Sequence, residues 1–260
     1  MVESTTKPGM RMFNELLASE GLPPYERSVF DLPWDAATLV FQTGVPEMDF
    51  PRDDWPANHR FVGPLLPPRS TTPTALPFVD ELERFSSVVV VSQGTVDNRD
   101  PDKLFIPALT ALAGTEHLVI ACTGGRHTDA LRAQFPHDNV LVEDWVDFGT
   151  LLPRADLFIC NGGYGSIMHA LMAEVPILSA GKLEGKNDIN ARLAYRGLGL
   201  DLKTERPSPS QITAAVKRVL GDASFKQNAT HVAALLHARR PLETIEAAIL
   251  STQRLNSAVR

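Results

Sequence analysis

The chain of 260 residues carries a formal net charge of −6, with 43% hydrophobic and 22% charged residues, a composition that suits one large α/β domain, or one complete domain with part of a second. The acidic balance, with no basic stripe to neutralise a phosphate backbone, argues against a nucleic-acid binder. No apolar run approaches the roughly 20 residues needed to span a bilayer, and Met1-Val2-Glu3-Ser4-Thr5 has neither a basic nor an apolar leader region, so the expected location is cytoplasmic.

The chain opens with a helical pattern over Arg11–Glu20, then Gly21-Leu22-Pro23-Pro24, an apolar strand Thr38–Gln42 and a short strand Arg60–Val62. One helix and two strands cannot bury a core of their own. The segment 1–68 therefore either docks on the rest of the chain or is the tail of a domain whose beginning is absent. Prolines crowd the next stretch at Pro64, Pro67, Pro68, Pro73 and Pro77, and residues 69–87 read as an exposed, semi-rigid linker.

From Val88 the pattern changes. Short β-branched runs at Val88–Ser92, His117–Cys122, Asn139–Glu143, Ala155–Cys160, Pro176–Ala180 and Leu198–Leu202 alternate with helical periodicity at Pro101–Ala113, Thr128–Phe135, Phe148–Leu152, Tyr164–Glu174 and Asp188–Tyr195. Helical patterns over Ser210–Leu220 and Ser224–Ala238 close this region, leaving 251–260 as a tail. The strands are continuously apolar, as in sheets covered on both faces. Residues 88–250 are thus expected to form an α/β fold, a doubly wound, Rossmann-like parallel sheet of six strands. Cys122 and Cys160 each end a central strand and read as buried thiols with no disulfide between them. The chain carries no HExxH, no CxxC and no histidine cluster, so no metal or cofactor is expected.

In such sheets ligands bind outside the carboxyl ends of the strands. The loops there are Ser92-Gln93-Gly94-Thr95, Thr123-Gly124-Gly125, Asp144-Trp145-Val146, Asn161-Gly162-Gly163-Tyr164-Gly165-Ser166 and Gly181-Lys182-Leu183-Glu184-Gly185-Lys186-Asn187. A strand that turns through Gly162, Gly163 and Gly165 into a helix leaves first-turn N–H groups at the positive end of the helix dipole, and Ser166 adds a hydroxyl. The motif alone fits either an anion site or a tight turn with no ligand. Gly94, Thr95 and Gly124 lie in hydroxyl-glycine turns suited to a diphosphate. Trp145 either covers a nucleobase, with backbone groups of Val146 on its edge, or seals the domain edge. Glu184, Lys186 and Asn187 either hold sugar hydroxyls or a phosphate charge from an exposed loop, or are solvated surface. Met168 and Met172 fall with Ile167 and Leu171 on one helix side and read as core.

Together these loops, with Leu152-Pro153-Arg154-Ala155-Asp156, Asn190-Ala191-Arg192 and Gly197-Leu198-Gly199, resemble in sequence order the nucleotide-sugar half of the UDP-glycosyltransferase family. The nearest subgroup is similar to the enzymes of macrolide antibiotic biosynthesis, of erythromycin type. The resemblance runs from about Val88 to Leu250, and residues 8–68 resemble the last part of the family's N-terminal domain, so the earlier part of that domain is expected to be missing. It implies half of a two-domain GT-B fold and a UDP- or TDP-linked sugar as co-substrate. It further implies inverting, metal-independent transfer of a hexosyl group to an acceptor hydroxyl on a natural product, lipid or other small molecule. Gly94 and Thr95 would face the donor diphosphate, Trp145 and Val146 the base, and Gly163, Gly165 and Ser166 the phosphates.

Three positions depart from the family. Asn161 stands where relatives have His; an amide still donates a hydrogen bond but carries no charge. Lys186 and Asn187 replace the acidic-amide pair that relatives present to the sugar. The general-base histidine near the family's N-terminus has no counterpart, and none of the seven histidines replaces it. His169, nearest the glycine turn, reads as a packed or surface residue. No catalytic residue is assigned, and activity is expected to need a second chain for the acceptor half. The alternative is a non-catalytic nucleotide-sugar-binding remnant. A dinucleotide oxidoreductase is disfavoured, because the glycine turn follows the fourth strand and Met168 stands where a third glycine belongs.

Overall fold

The structure is a computed structural model and describes residues 2–28, 30–67 and 75–258. Helices α1 (Val2–Ser19) and α2 (Leu32–Ala36) lead into strands β1 (Val40–Thr43) and β2 (His59–Gly63), which pair in parallel as a two-stranded sheet. Next come β3 (Ser87–Ser92), α3 (Phe105–Leu112), β4 (His117–Cys122), α4 (Thr128–Gln134), β5 (Val140–Glu143), α5 (Phe148–Leu151), β6 (Leu157–Cys160), α6 (Tyr164–Met172), β7 (Ile177–Ser179), α7 (Lys186–Tyr195) and β8 (Gly199–Asp201). Helices α8 (Pro209–Gly221), α9 (Ala223–His237) and α10 (Pro241–Ala258) complete the chain.

The second sheet is parallel, six-stranded and ordered β5-β4-β3-β6-β7-β8. The order in which strands are added reverses between β3 and β6, the switch point at which doubly wound sheets open a crevice. Register sharpens this. Glu143, Cys122, Ser92, Cys160, Ser179 and Asp201 are successive Cα partners across the sheet, so the loops after all six strands leave from one straight edge.

Alternation within each strand feeds two cores. Val88 and Val90, with Leu118, Ile120 and Phe158, pack beneath α6 and α9 through Ile167, Leu171, Val232 and Leu236. Val89 and Val91, with Val119, Leu157 and Ile159, meet Phe105 and Leu109 of α3 and Ile212 and Val216 of α8. Each such side chain, fully buried, contributes about 1.5–3 kcal/mol. Cys122 and Cys160 are free and buried; they flank Ser92 on β3, two strand spacings or about 10 Å apart, beyond disulfide reach. Burial pushes both thiols up to about 12, which keeps them protonated and unreactive.

The segment before the proline stretch docks on this domain. Val45 is wholly buried in the same core as Phe158 and Ile167, Arg192 of α7 pairs with Asp49 at 3.0 Å, and Arg196 donates to the carbonyls of Asp49 and Pro46. Helix α10 lies against β2.

Two expectations need correction. Residues 69–74 of the expected linker lie outside the described residues, but the remainder is no exposed spacer: Leu76, Phe78 and Leu82 are buried in the core around a short 3-10 helix, Val79–Glu83. The proline count hid an apolar repeat whose burial outweighs the stiffness of the chain. The expected tail is also helical to Ala258 as the end of α10, and 259–260 lie outside the described residues. Smaller differences reflect local chemistry; β7 starts one residue after Pro176, which has no N–H to give to a ladder.

Candidate functional site

The sheet edge is organised around the glycine turn between β6 and α6. Gly162 has φ +84, and a Cβ there would fall 2.2 Å from the Asn190 side chain. This glycine serves a close approach, not a ligand. Asn190 is itself wholly buried and donates to the Gly181 carbonyl at 3.0 Å, which fixes α7 to the β7 loop while its side chain packs against Gly162. Gly165 differs: it is exposed, and an added Cβ would meet nothing within 4 Å among the described residues. Gly163 is the N-cap of α6, and no side chain caps the helix there. The first turn of a nine-residue helix thus presents its N–H groups outward beside an open glycine and the Ser166 hydroxyl.

That turn forms one wall of a cavity of about 290 Å3 lined by Gln93, Gly94, Thr95, Val96, Asp97, Asn161, Gly163, Tyr164, Gly165, Ser166, Glu184 and Lys186. Five residues singled out from the sequence, Gly94, Thr95, Gly163, Gly165 and Ser166, come together there, with Asn161 and Lys186. None of these lining residues is a histidine. His169 is half-buried against Phe148, ring centroids 6.0 Å apart, and burial lowers its pKa.

The β4 and β5 loops adjoin the cavity without lining it. Gly124 has φ +68; a Cβ there would lie 3.0 Å from Asn98 Nδ2 and 3.8 Å from both the Gly94 carbonyl oxygen and the Trp145 ring. Trp145 stands over the Gly124–Gly125 turn with 70% of its surface exposed. An indole that open does not seal the domain edge; it is a free aromatic face beside the cavity. Val146 packs partly against the core.

Three side chains are placed differently from expectation. Asn161 is buried, donates from Nδ2 to the Gln93 carbonyl at 2.6 Å and accepts the Gly163 N–H at 3.3 Å. Its amide ties the β3 and β6 loops together and is not held free toward the cavity. Lys186 is not on an exposed loop. It begins α7, is 6% exposed, and its ammonium lies 3.0 Å from Asp97 and 2.9 Å from Glu184. Asn187 is exposed, donates to Asp188 at 3.1 Å and does not line the cavity.

The Lys186 pairs belong to a network that sequence reasoning missed. Asp97 also holds Lys103 at 2.7 Å, and Lys103 reaches Glu205 at 3.6 Å. Glu205 in turn accepts the N–H groups of Lys182 and Leu183. Burial works against the charge on Asp97, but hydrogen bonds from Lys103 and Lys186 outweigh it and hold its carboxyl below 3.8. Burial likewise opposes the charge on Lys186, and the two carboxylates hold its pKa above 10.5. Asp97 lies three residues beyond Gly94 in a loop that Gln93 closes by donating to the Asp97 and Asp100 carbonyls at 2.9 and 2.8 Å. No motif signals that arrangement; only the fold brings it to Lys186. Tyr164 was also missed as a link: its hydroxyl donates to the Thr43 carbonyl at 2.7 Å, fastening the docked N-terminal segment to the first residue of α6.

A family model described as "Erythromycin biosynthesis protein CIII-like, C-terminal domain" matches residues 107–249. The chain is similar to the 4'-demethylrebeccamycin synthase of Lentzea aerocolonigenes, 36% identical over 82% of this chain and 49% of that protein. It is also similar to UDP-glucosyltransferase 1 of Beauveria bassiana, 32% identical over 86% of this chain and 49% of that protein. Among solved structures, the glycotransferase of kitacinnamycin superposes with a TM-score of 0.72 at 23% identity, covering 94% of this chain and 61% of the other. That likeness establishes the fold, one half of the GT-B architecture. The chain spans about half the length of the curated relatives it matches.

Proposed function

The chain belongs to the erythromycin biosynthesis protein CIII-like C-terminal domain family, and from that membership we propose that it is the donor-binding half of a glycosyltransferase. Its ligand is a nucleoside diphosphate sugar, UDP- or TDP-linked. The pyrophosphate rests on the first turn of α6 between Gly94, Thr95, Gly163, Gly165 and Ser166, and the base lies on Trp145. The observation that carries this reading is the uncapped start of α6, with Gly165 open to the cavity. A helix N-terminus with no side chain across it favours an anion there.

Transfer is inverting in this account. The acceptor hydroxyl attacks the anomeric carbon opposite the diphosphate, whose bond to that carbon breaks with the electron pair leaving on the diphosphate oxygen. First-turn N–H groups and the helix dipole stabilise that charge, so no metal ion is invoked. The acceptor's proton goes to a base from outside this cavity, because no histidine lines the cavity and its two carboxylates are ion-paired. Natural products are the proposed acceptors, by analogy with the 4'-demethylrebeccamycin synthase relative.

Calorimetry with UDP- and TDP-sugars, followed by a turnover assay with and without the N-terminal half of a relative, tests the proposal. Donor binding at micromolar concentrations with transfer only in the mixture is expected. Binding with no transfer or donor hydrolysis under either condition would favour a non-catalytic binding module instead. That second reading draws on the same absence of a free base in the cavity.

A further inference from the structure

The donor-binding reading leaves open which sugar the site takes, and the charges around Lys186 bear on it. Along the sheet edge Trp145 follows β5, the glycine turn follows β6, and Glu184 and Lys186 follow β7. A ligand with its base on Trp145 and its pyrophosphate on α6 therefore directs its sugar toward the β7 loop. Asp97, Glu184 and Lys186 all line that end of the cavity.

We infer that Asp97 and Glu184 are the sugar-reading groups of this pocket, braced by Lys186, and that they select a neutral, hydroxyl-rich hexose and reject a uronic acid. The inference rests on the donor-binding reading. Lys186 is already compensated by two carboxylates within 3.0 Å, so it offers no free cation to a sugar carboxylate. With Lys103 and Glu205 the network holds three carboxylates against two ammonium groups, so a uronate would add its negative charge to a cluster that already carries an excess of one. Sugar hydroxyls suit the same wall, because ionised carboxylates accept hydrogen bonds and do not donate them. Glu184, with its side chain 65% exposed, is the member free to adjust to the ligand.

Calorimetry at low ionic strength with UDP, UDP-glucose and UDP-glucuronate reads the inference directly. Each donor's Kd is expressed relative to that of UDP, which carries no sugar and reports on the rest of the pocket. UDP-glucose is expected to bind at least about tenfold more tightly than UDP-glucuronate. Glu184→Gln, at an exposed side chain that leaves the fold in place, should shrink that ratio by roughly three- to tenfold, chiefly by improving UDP-glucuronate. Asp97→Asn should shift it in the same direction. Equal relative affinities in the parent protein, a preference for the uronate, or discrimination that neither substitution moves would overturn the inference while the pocket stands. Should TDP bind in place of UDP, the same comparison is read with TDP-glucose and TDP-glucuronate; failure of both UDP and TDP to bind would instead remove the donor-binding reading and this inference with it.

Discussion

Two glycines three residues apart in the same turn do opposite jobs, and substitutions separate them. Gly162→Ala forces a left-handed residue against Asn190 and should destabilise the protein by about 2–4 kcal/mol in urea denaturation. Gly165→Val meets open space, so stability should stay within about 1 kcal/mol of the parent while nucleotide binding is lost. The sequence announced both as parts of a phosphate turn, because a glycine pattern does not reveal which member faces a ligand and which faces Asn190, 28 residues later in the chain. Asn161 and Lys186 were legible as residues of the site but not in their engagement. Their partners, the Gln93 carbonyl and Asp97, are brought to them only by the pairing of β3 with β6 and of β6 with β7. The network also predicts a pH profile. With the Asp97 carboxyl lowered, its contribution is present above 3.8 and is lost as pH falls through the depressed value. With Lys186 raised, its contribution is complete below 10.5 and is lost only as pH rises through the elevated value. Sugar-donor affinity should therefore be flat from about pH 5 to pH 8; a break between pH 5 and 7 in titration calorimetry would place a histidine in the site.

At the scale of elements, the six strands were readable because burial on both faces makes each a continuous apolar run, and Val88–Val91 is the plainest example. Helix α10 was not readable. Its apolar residues include Leu242, 73% exposed, and Ile249, 47% exposed, so they trace no well-buried stripe. The start of α8 carried a signal that the helical period alone passed over. Ser208 and Gln211 form a reciprocal capping box, which fixes the helix at Pro209, one residue before the periodicity begins. Ser208→Ala should lower stability by about 1 kcal/mol, measured as a shift in denaturation midpoint; no shift would mean that the α8 contacts with α3 and the sheet alone hold that end. The linker expectation failed for a related reason. Composition marked prolines, whereas burial of Leu76, Phe78 and Leu82 decides where the chain lies.

For the whole molecule, the parallel sheet aligns the ends of six strands, and the switch between β3 and β6 gathers the β3, β6 and β7 loops around one cavity. Residues 40–63 close the underside through Val45, Asp49 and the Tyr164–Thr43 hydrogen bond. The first residue of α6 is thereby coupled to the segment resembling the end of an acceptor-side domain. No helix among the described residues is long and apolar enough to cross a membrane. The account stands or falls on where a nucleoside diphosphate sits, and a crystal structure of the protein with UDP measures it. The pyrophosphate oxygens should lie about 3 Å from the N–H groups of Gly165 and Ser166, with the uracil on Trp145. A diphosphate seated elsewhere, such as beside Gly125 and Thr128 at the neighbouring polar hollow, with the first turn of α6 bare, would contradict it.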